Sequence, residues 1–247
     1  MLFSLPMDKS PALEDFLSRQ RLLVISPHAD DETAGAGGLM LRIKEAGGEV
    51  YVMVLTVGDL QHYDSKDEKT FASERSVELG NAMNTLGVDD WEICFNDSDI
   101  HLRLDNIPRR DIVSRIERDS KLAIDRIKPT MLALPAPSFN QDHEILYKAG
   151  ITAARPHLYT LKPFQRCVLT MDAPQLAWGE VNFKPNFYVD ISHCLDKKIE
   201  AFNCHKSQLR PDPHQGGSEA LRLLALSRGR EISVQAAESY ECMRFVF

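Results

Sequence analysis

An apolar run, Arg21-Leu22-Leu23-Val24-Ile25, passes directly into Ser26-Pro27-His28-Ala29-Asp30-Asp31-Glu32. Such a run, with no polar alternation, reads as a strand buried on both faces, the habit of a parallel sheet covered by helices. From Thr33 the pattern turns helical, with Leu39, Met40, Ile43 and Ala46 on one face and Gly47-Gly48 as the stop. Strand, acid block and helix form the first unit, and the alternation continues. Residues 50–57 read as a strand closed by Gly58-Asp59, 71–86 as a helix stopped by Gly87, and 91–95 as a short strand. Residues 105–127 read as one helix entered through Pro108 and ended by Pro129. Strands follow at 130–134 and 167–171, with a helix at 142–154 between them. Further helices are expected at 196–209 and 219–228, and an early one behind Ser10-Pro11 with Leu13, Phe16 and Leu17 turned inward.

This order predicts an α/β fold: a Rossmann-like, doubly wound, mostly parallel sheet with helices on both faces. With no repeat or linker in view, one domain spanning 1–247 is expected, its C-terminal part from about 172 adding loops and helices around the site. Net charge is -7 and no basic run stands out, which argues against nucleic acid or an anionic membrane as the main partner. Five scattered cysteines suit a reducing compartment better than a disulfide framework. The first residues lack the pattern of a signal peptide, and no stretch approaches the ~18 apolar residues of a membrane span. A cytoplasmic location without membrane insertion is the expectation.

Three carboxylates crowded where a sheet ends repel one another and are costly to desolvate. A divalent cation removes both objections by using the acids as ligands. Alternatively, acids at a helix start complement its dipole, and a histidine after a strand simply packs. His28 and Asp31 are three residues apart across a turn, close enough to converge on one ion. His143, at the mouth of another strand, is the candidate third ligand. Two imidazoles and a carboxylate favour Zn²⁺, with Fe²⁺, Co²⁺ or Mn²⁺ admissible. Three protein ligands leave a position open for water, and Asp30 stands beside them to accept a proton. In doubly wound sheets ligands bind beyond the carboxyl ends of the strands, where both His28–Asp31 and Asn140–His143 are expected.

These residues resemble the zinc-dependent N-deacetylases of the PIG-L/LmbE type. The family's first motif, Pro-His-Pro-Asp-Asp-Glu, stands here as Pro27-His28-Ala29-Asp30-Asp31-Glu32, and its second, His-x-Asp-His, as Asn140-Gln141-Asp142-His143. Weaker similarity continues through Leu55–Asp59, Arg75-x-x-Glu78, Lys198, His205-Lys206-Ser207-Gln208, Arg228-Gly229 and Ala237-Glu238-Ser239-Tyr240. The resemblance implies zinc on His28, Asp31 and His143, with Asp30 as general base. Asn140 and Asp142 become further catalytic candidates, and Arg75, Asp59 and His214 substrate contacts. The implied reaction removes acetyl from a GlcNAc-like unit of a small glycoside or glycoconjugate precursor. Homo-oligomers are frequent in the family.

Two departures carry weight. Ala29 replaces a proline and loosens the turn. Asn140 replaces the first histidine of the second motif, and an amide donates hydrogen bonds but delivers no proton at neutral pH. The proton for the leaving amine then comes from Asp30 or another group, with His193, His205 and His214 as candidates. The same departure suits a non-catalytic binder that retains a metal site. An amidohydrolase acting on a non-sugar amide uses the same water activation.

The remaining features have plainer readings. Gly35, Gly37 and Gly38 lack dinucleotide-loop spacing and suit close helix packing. His193-Cys194 with Cys204-His205 fits no compact zinc finger. Residues 210–217 form a loop that serves as surface or as a lid carrying His214. Trp178 and Phe183 are candidates for stacking on a sugar face, against packing or an oligomer contact.

Overall fold

Alternate residues of β1 (Arg21–Ser26) serve two different cores: Leu22 and Val24 join one apolar cluster, Leu23 and Ile25 the other. That is why the strand shows no polar alternation. The computed structural model describes residues 10–61, 69–95, 97–178 and 182–246. In it β1 pairs in parallel with β2 (Glu49–Thr56) on one side and with β6 (Met131–Pro135) on the other. A two-stranded ribbon, β3 (Leu60–Gln61) with β4 (Lys69–Thr70), stands apart from this sheet. Beyond β2 lies β5 (Asp90–Phe95), and beyond β6 lies β7 (Cys167–Met171), both parallel. The sheet is completed by two antiparallel strands, β9 (Ala237–Phe245) against β7 and β8 (Phe187–Asp190) at the edge. Its order is β5-β2-β1-β6-β7-β9-β8.

Helices cover both faces. The Leu22 face carries α1 (Pro11–Ser18), α2 (Asp31–Ala46) and α3 (Ala72–Leu86). The Leu23 face carries α4 (Arg109–Ser114), α5 (Ile124–Ile127) and α6 (Gln141–Ala153). The first face also receives α7 (Leu195–Phe202) and α8 (Ser218–Glu231). The chain leaves β1 toward β2 and β5, then returns to β6 on the other flank, so the strand order reverses between β1 and β6. The turns after these two strands open onto one crevice.

The expected α/β architecture is the one observed, with local differences. The stretch 105–127 is not one helix: α4 runs into a π-turn at Arg115–Asp119 and stops at extended Ser120. Glu92 on β5 accepts the amides of Lys121 (3.1 Å) and Leu122 (2.7 Å), competing with helical bonding there. The helix begun near residue 196 ends at Phe202, and a 3₁₀ turn follows at Lys206–Gln208. Leu13 points outward at 39% exposure, while Leu17 is buried. The antiparallel strands β8 and β9 were not anticipated.

The glycines of α2 admit close neighbours. A Cβ on Gly38 would lie 2.4 Å from Ile191 Cγ2, and one on Gly35 2.8 Å from Met171 Cβ. Through this gap a buried ion pair docks on the helix backbone. Lys198 Nζ donates to Ala34 O (2.7 Å) and to Glu238 Oε1 (2.7 Å), while the Glu238 carboxylate accepts the amides of Gly38 (2.6 Å) and Leu39 (2.7 Å). Helix α2, which begins at Asp31, is thereby tied to α7 and β9. Among the described residues no helix is long and apolar enough to cross a membrane.

Candidate active site

Two turns build the site from opposite flanks of the sheet reversal. After β1 the turn is pinned to β2, because Thr56 gives both its amide (3.0 Å) and its hydroxyl (3.2 Å) to Pro27 O. Asp30, which caps α2, has φ 123°, a conformation side-chain-bearing residues rarely adopt. Glu32 holds it there by accepting the Asp30 amide at 3.0 Å. Glu32 is fixed in turn by Thr33 Oγ1 (2.8 Å) and by His205 Nε2, 3.2 Å from its Oε1. The last acid of the block is therefore structural. Burial opposes its charge, but the His205 imidazole holds its carboxyl below the usual range.

After β6, Asn140 caps α6 by accepting the Asp142 amide on Oδ1 at 2.9 Å. Asp142 is fully buried, and its Oδ1 accepts the Leu104 amide (2.9 Å). Its Oδ2 lies 3.0 Å from His28 Nε2. The aspartate thus supports His28. With Nε2–H given to Asp142, His28 turns Nδ1 toward Asp31, 3.2 Å from Oδ2. His143 Nε2 approaches the same oxygen at 3.3 Å.

One donor atom from each of His28, Asp31 and His143 lies within 4.8 Å of the others. Asp31 Oδ2 is buried and has no hydrogen-bond partner, although two imidazole nitrogens face it. Donors that converge without bonding one another fit a shared cation. The electrostatics agree. His28 is raised to about 9: burial works against its charge, but Asp142 and Asp31 outweigh it. Burial would raise Asp31, yet His143 and His28 hold it well below the carboxylate range. The pocket calls for positive charge, and a divalent cation would supply it in place of a proton.

A cavity of about 280 Å³ opens over this group. Asp30, Arg75, Asn140 and His214 all line it. Asp30 is pushed up to about 7 by burial and by the charge of Asp31. Arg75 is 2% exposed, and Asp59 stands outside the lining: it accepts the Ala72 amide at the start of α3 (2.8 Å) and pairs with Lys69 (2.7 Å). Asp59, expected to contact substrate, is engaged here in capping α3. Residues 210–217 form one wall through His214, Gln215 and Gly216. His193 pairs with Glu45 on the surface and His205 with Glu32, so the 193–194 and 204–205 segments make no joint site. Phe183 is not part of the lining, and the side chain of Trp178 lies outside the described residues.

Among the residues lining the cavity, His101 carries chemistry that the sequence did not announce. His101 is buried, with Nδ1 3.1 Å from Thr56 Oγ1 and Nε2 2.9 Å from Arg75 Nη1. Its ring stands edge-on to His28, centroids 5.1 Å apart. Burial, then the charges of His28 and Arg75, push it down to about 3, so it is neutral. The one sequence sign of it is Gly58, where a Cβ would fall 2.3 Å from His101 Cβ.

The chain is similar to known proteins in sequence and in fold. The diacetylchitobiose deacetylase of Thermococcus kodakarensis is 27% identical over 242 residues, covering 94% of this chain and 85% of the relative. The structure of N,N'-diacetylchitobiose deacetylase from Pyrococcus horikoshii, in complex with its inhibitor MPG, is similar in fold: TM-score 0.66, 22% identity, 96% of this chain and 87% of that one. So is the 4-carboxy-2-hydroxymuconate hydratase GalB of Pseudomonas putida KT2440, at TM-score 0.62, 21% identity and 92% and 97% coverage. The fold alone therefore does not select a reaction. The profile of the PIG-L family, described as GlcNAc-PI de-N-acetylase, matches residues 23–154, from β1 to the end of α6 and through both turns of the site. With more than half of its length matched, the chain belongs to the PIG-L family.

Proposed function

We propose that this protein removes the N-acetyl group from an N-acetylated amino sugar, a GlcNAc-like unit of a small glycoside or glycoconjugate precursor. The observation that carries the reading is the convergence of His28, Asp31 and His143 on the floor of a cavity also lined by Asp30. Their donor set suits Zn²⁺, and Fe²⁺, Co²⁺ or Mn²⁺ can take the same ligands. Bound there, such an ion lowers the pKa of water and polarises a carbonyl.

The protein groups do the rest. Asp142 fixes the His28 ring so that Nδ1 faces the centre. Asp30, whose carboxylate has no protein donor among the described residues, takes the proton from the attacking water. It returns that proton to the nitrogen as the C–N bond breaks, giving acetate and a free amine. Asn140 spends its oxygen on the helix cap and keeps its NH₂ to donate toward the carbonyl oxygen. Arg75 and His214 contact the sugar. His214 Nδ1 accepts the Gly216 amide at 2.9 Å, which leaves Nε2–H as the donor. We read the chain as one α/β domain working in the cytoplasm, alone or as a homo-oligomer. Its free cysteines suit that compartment.

The test is amine release from N,N'-diacetylchitobiose by protein loaded with one equivalent of zinc, compared with the metal-stripped protein. Release that depends on the metal and yields one acetate per amine is expected. Release unaffected by stripping defeats the reading. A second reading, a metal-retaining sugar binder, is favoured by Asn140. Protein that binds the sugar but stays inactive, both as it is and as Asn140→His, would support it.

A further inference from the structure

We propose that His101 is a positioning residue, holding the Arg75 guanidinium in the orientation that binds substrate. The inference rests on the sugar-deacetylase reading, because it takes Arg75 as a substrate contact. It adds a residue that belongs to neither sequence motif.

The bonding has only one consistent direction. An arginine donates and never accepts, so His101 Nε2, 2.9 Å from Arg75 Nη1, must be the acceptor. The ring proton then sits on Nδ1 and is given to Thr56 Oγ1 at 3.1 Å. Thr56 passes its own hydroxyl proton to Pro27 O at 3.2 Å, the residue before His28. Both ring nitrogens are thus used by protein, and His101 has none left to offer a substrate.

The backbone is shaped for this contact. Gly58 O is the second acceptor for Arg75 Nη1, at 2.9 Å. The close approach of His101 requires that Gly58 have no side chain, since a Cβ would stand 2.3 Å from His101 Cβ. Strand β2's end, α3 and the turn carrying His101 therefore meet on one guanidinium nitrogen. Arg75 is held at Nη1 by that corner while its side chain lines the cavity. A guanidinium fixed at one nitrogen in a cavity wall is placed to meet an oxygen acceptor from a ligand, such as a sugar hydroxyl.

The test is a double-mutant cycle of His101→Leu and Arg75→Leu on the zinc-loaded protein. It reads KM and kcat on N,N'-diacetylchitobiose, affinity for N-acetylglucosamine by calorimetry, and zinc content. His101→Leu should raise KM and weaken sugar binding by roughly tenfold, with kcat within about threefold and zinc content unchanged. In the Arg75→Leu background it should add nothing further. His101→Gln keeps an acceptor in reach of Arg75 and should restore most of the affinity, whereas His101→Asn, one bond shorter, should not. The Gln and Asn pair decides the matter if the leucine variant fails to fold.

Unchanged affinity in both His101→Leu and His101→Asn overturns the proposal. So do losses that multiply in the double variant, or zinc loss that Gln does not repair, which would mean that His101 merely supports His28. Sugar binding without amine release rejects deacetylation but leaves the positioning role to be judged on the binding cycle. Wild-type protein that neither binds nor turns over rejects both.

Discussion

Asp142 Oδ2 lies 3.0 Å from His28 Nε2, so two motifs separated along the chain are joined by one buried bond. A carboxylate behind a ligating imidazole fixes its tautomer and raises its basicity. Here the tautomer decides whether Nδ1 presents a lone pair to the cation or a proton.

Asp142→Asn should keep the fold, because the Leu104 amide can still find an acceptor, while metal affinity falls about 10–100-fold. Competitive chelator titration measures this directly. Affinity equal to wild type would mean that His28 needs no orienting partner.

The three converging donors should behave differently from Asp30. His143→Ala should strip the metal, whereas Asp30→Ala should retain it and lose at least ~10² in turnover. Elemental analysis and amine release on the same samples separate the two. Full metal occupancy in His143→Ala would reject the ligand assignment.

The parallel half of the sheet was legible because β1, β2 and β6 are apolar on both faces and end in glycine, acid or turn residues. Strands β8 and β9 were not. Their interior carries Glu238 and Ser239, whose polarity makes sense only once Glu238 is seen accepting two amides of α2. The break in 105–127 depends on Glu92, some thirty residues earlier and on a different element, so no local signal records it. At the site, His28, Asp31 and His143 stood out as metal-binding types at the sheet edge. The partner of Asp142 did not, since its neighbour Asn140 is close in sequence and His28 is distant. A lone loop histidine such as His101 carries no pattern of its own, and its one trace, Gly58, lies on another element.

The glycines of α2 provide a test of packing. Gly38→Ala puts a methyl 2.4 Å from Ile191 Cγ2, which is fully buried, and 3.0 Å from Glu238, which cannot yield without disturbing its buried pair with Lys198. Alanine is the better helix former, by about 1 kcal/mol in an open helix. The substitution should nonetheless destabilise by about 1–3 kcal/mol through overpacking. Urea unfolding measures it, and a stabilised variant would show that the gap is not needed.

Glu117 links the π-turn to the far end of α6 and should make stability depend on pH. It is almost fully buried and bonds both Arg155 and Lys162, the latter at 2.7 Å. Burial opposes its charge, but Lys162 and Arg155 together hold its carboxyl below the usual value. A depressed folded-state pKa contributes stability that is present above the unfolded value of about 4.5 and disappears as pH falls through the folded value. Glu117→Gln should therefore be about 1–3 kcal/mol less stable than wild type at pH 7, from the lost charge-assisted bonds. The gap should narrow steadily below pH 4.5, because the unfolded wild-type carboxyl then takes up its proton before the folded one does. Paired urea titrations at pH 7 and pH 4 would show this. A gap that stays constant between them would mean that Glu117 acts by shape and not by charge.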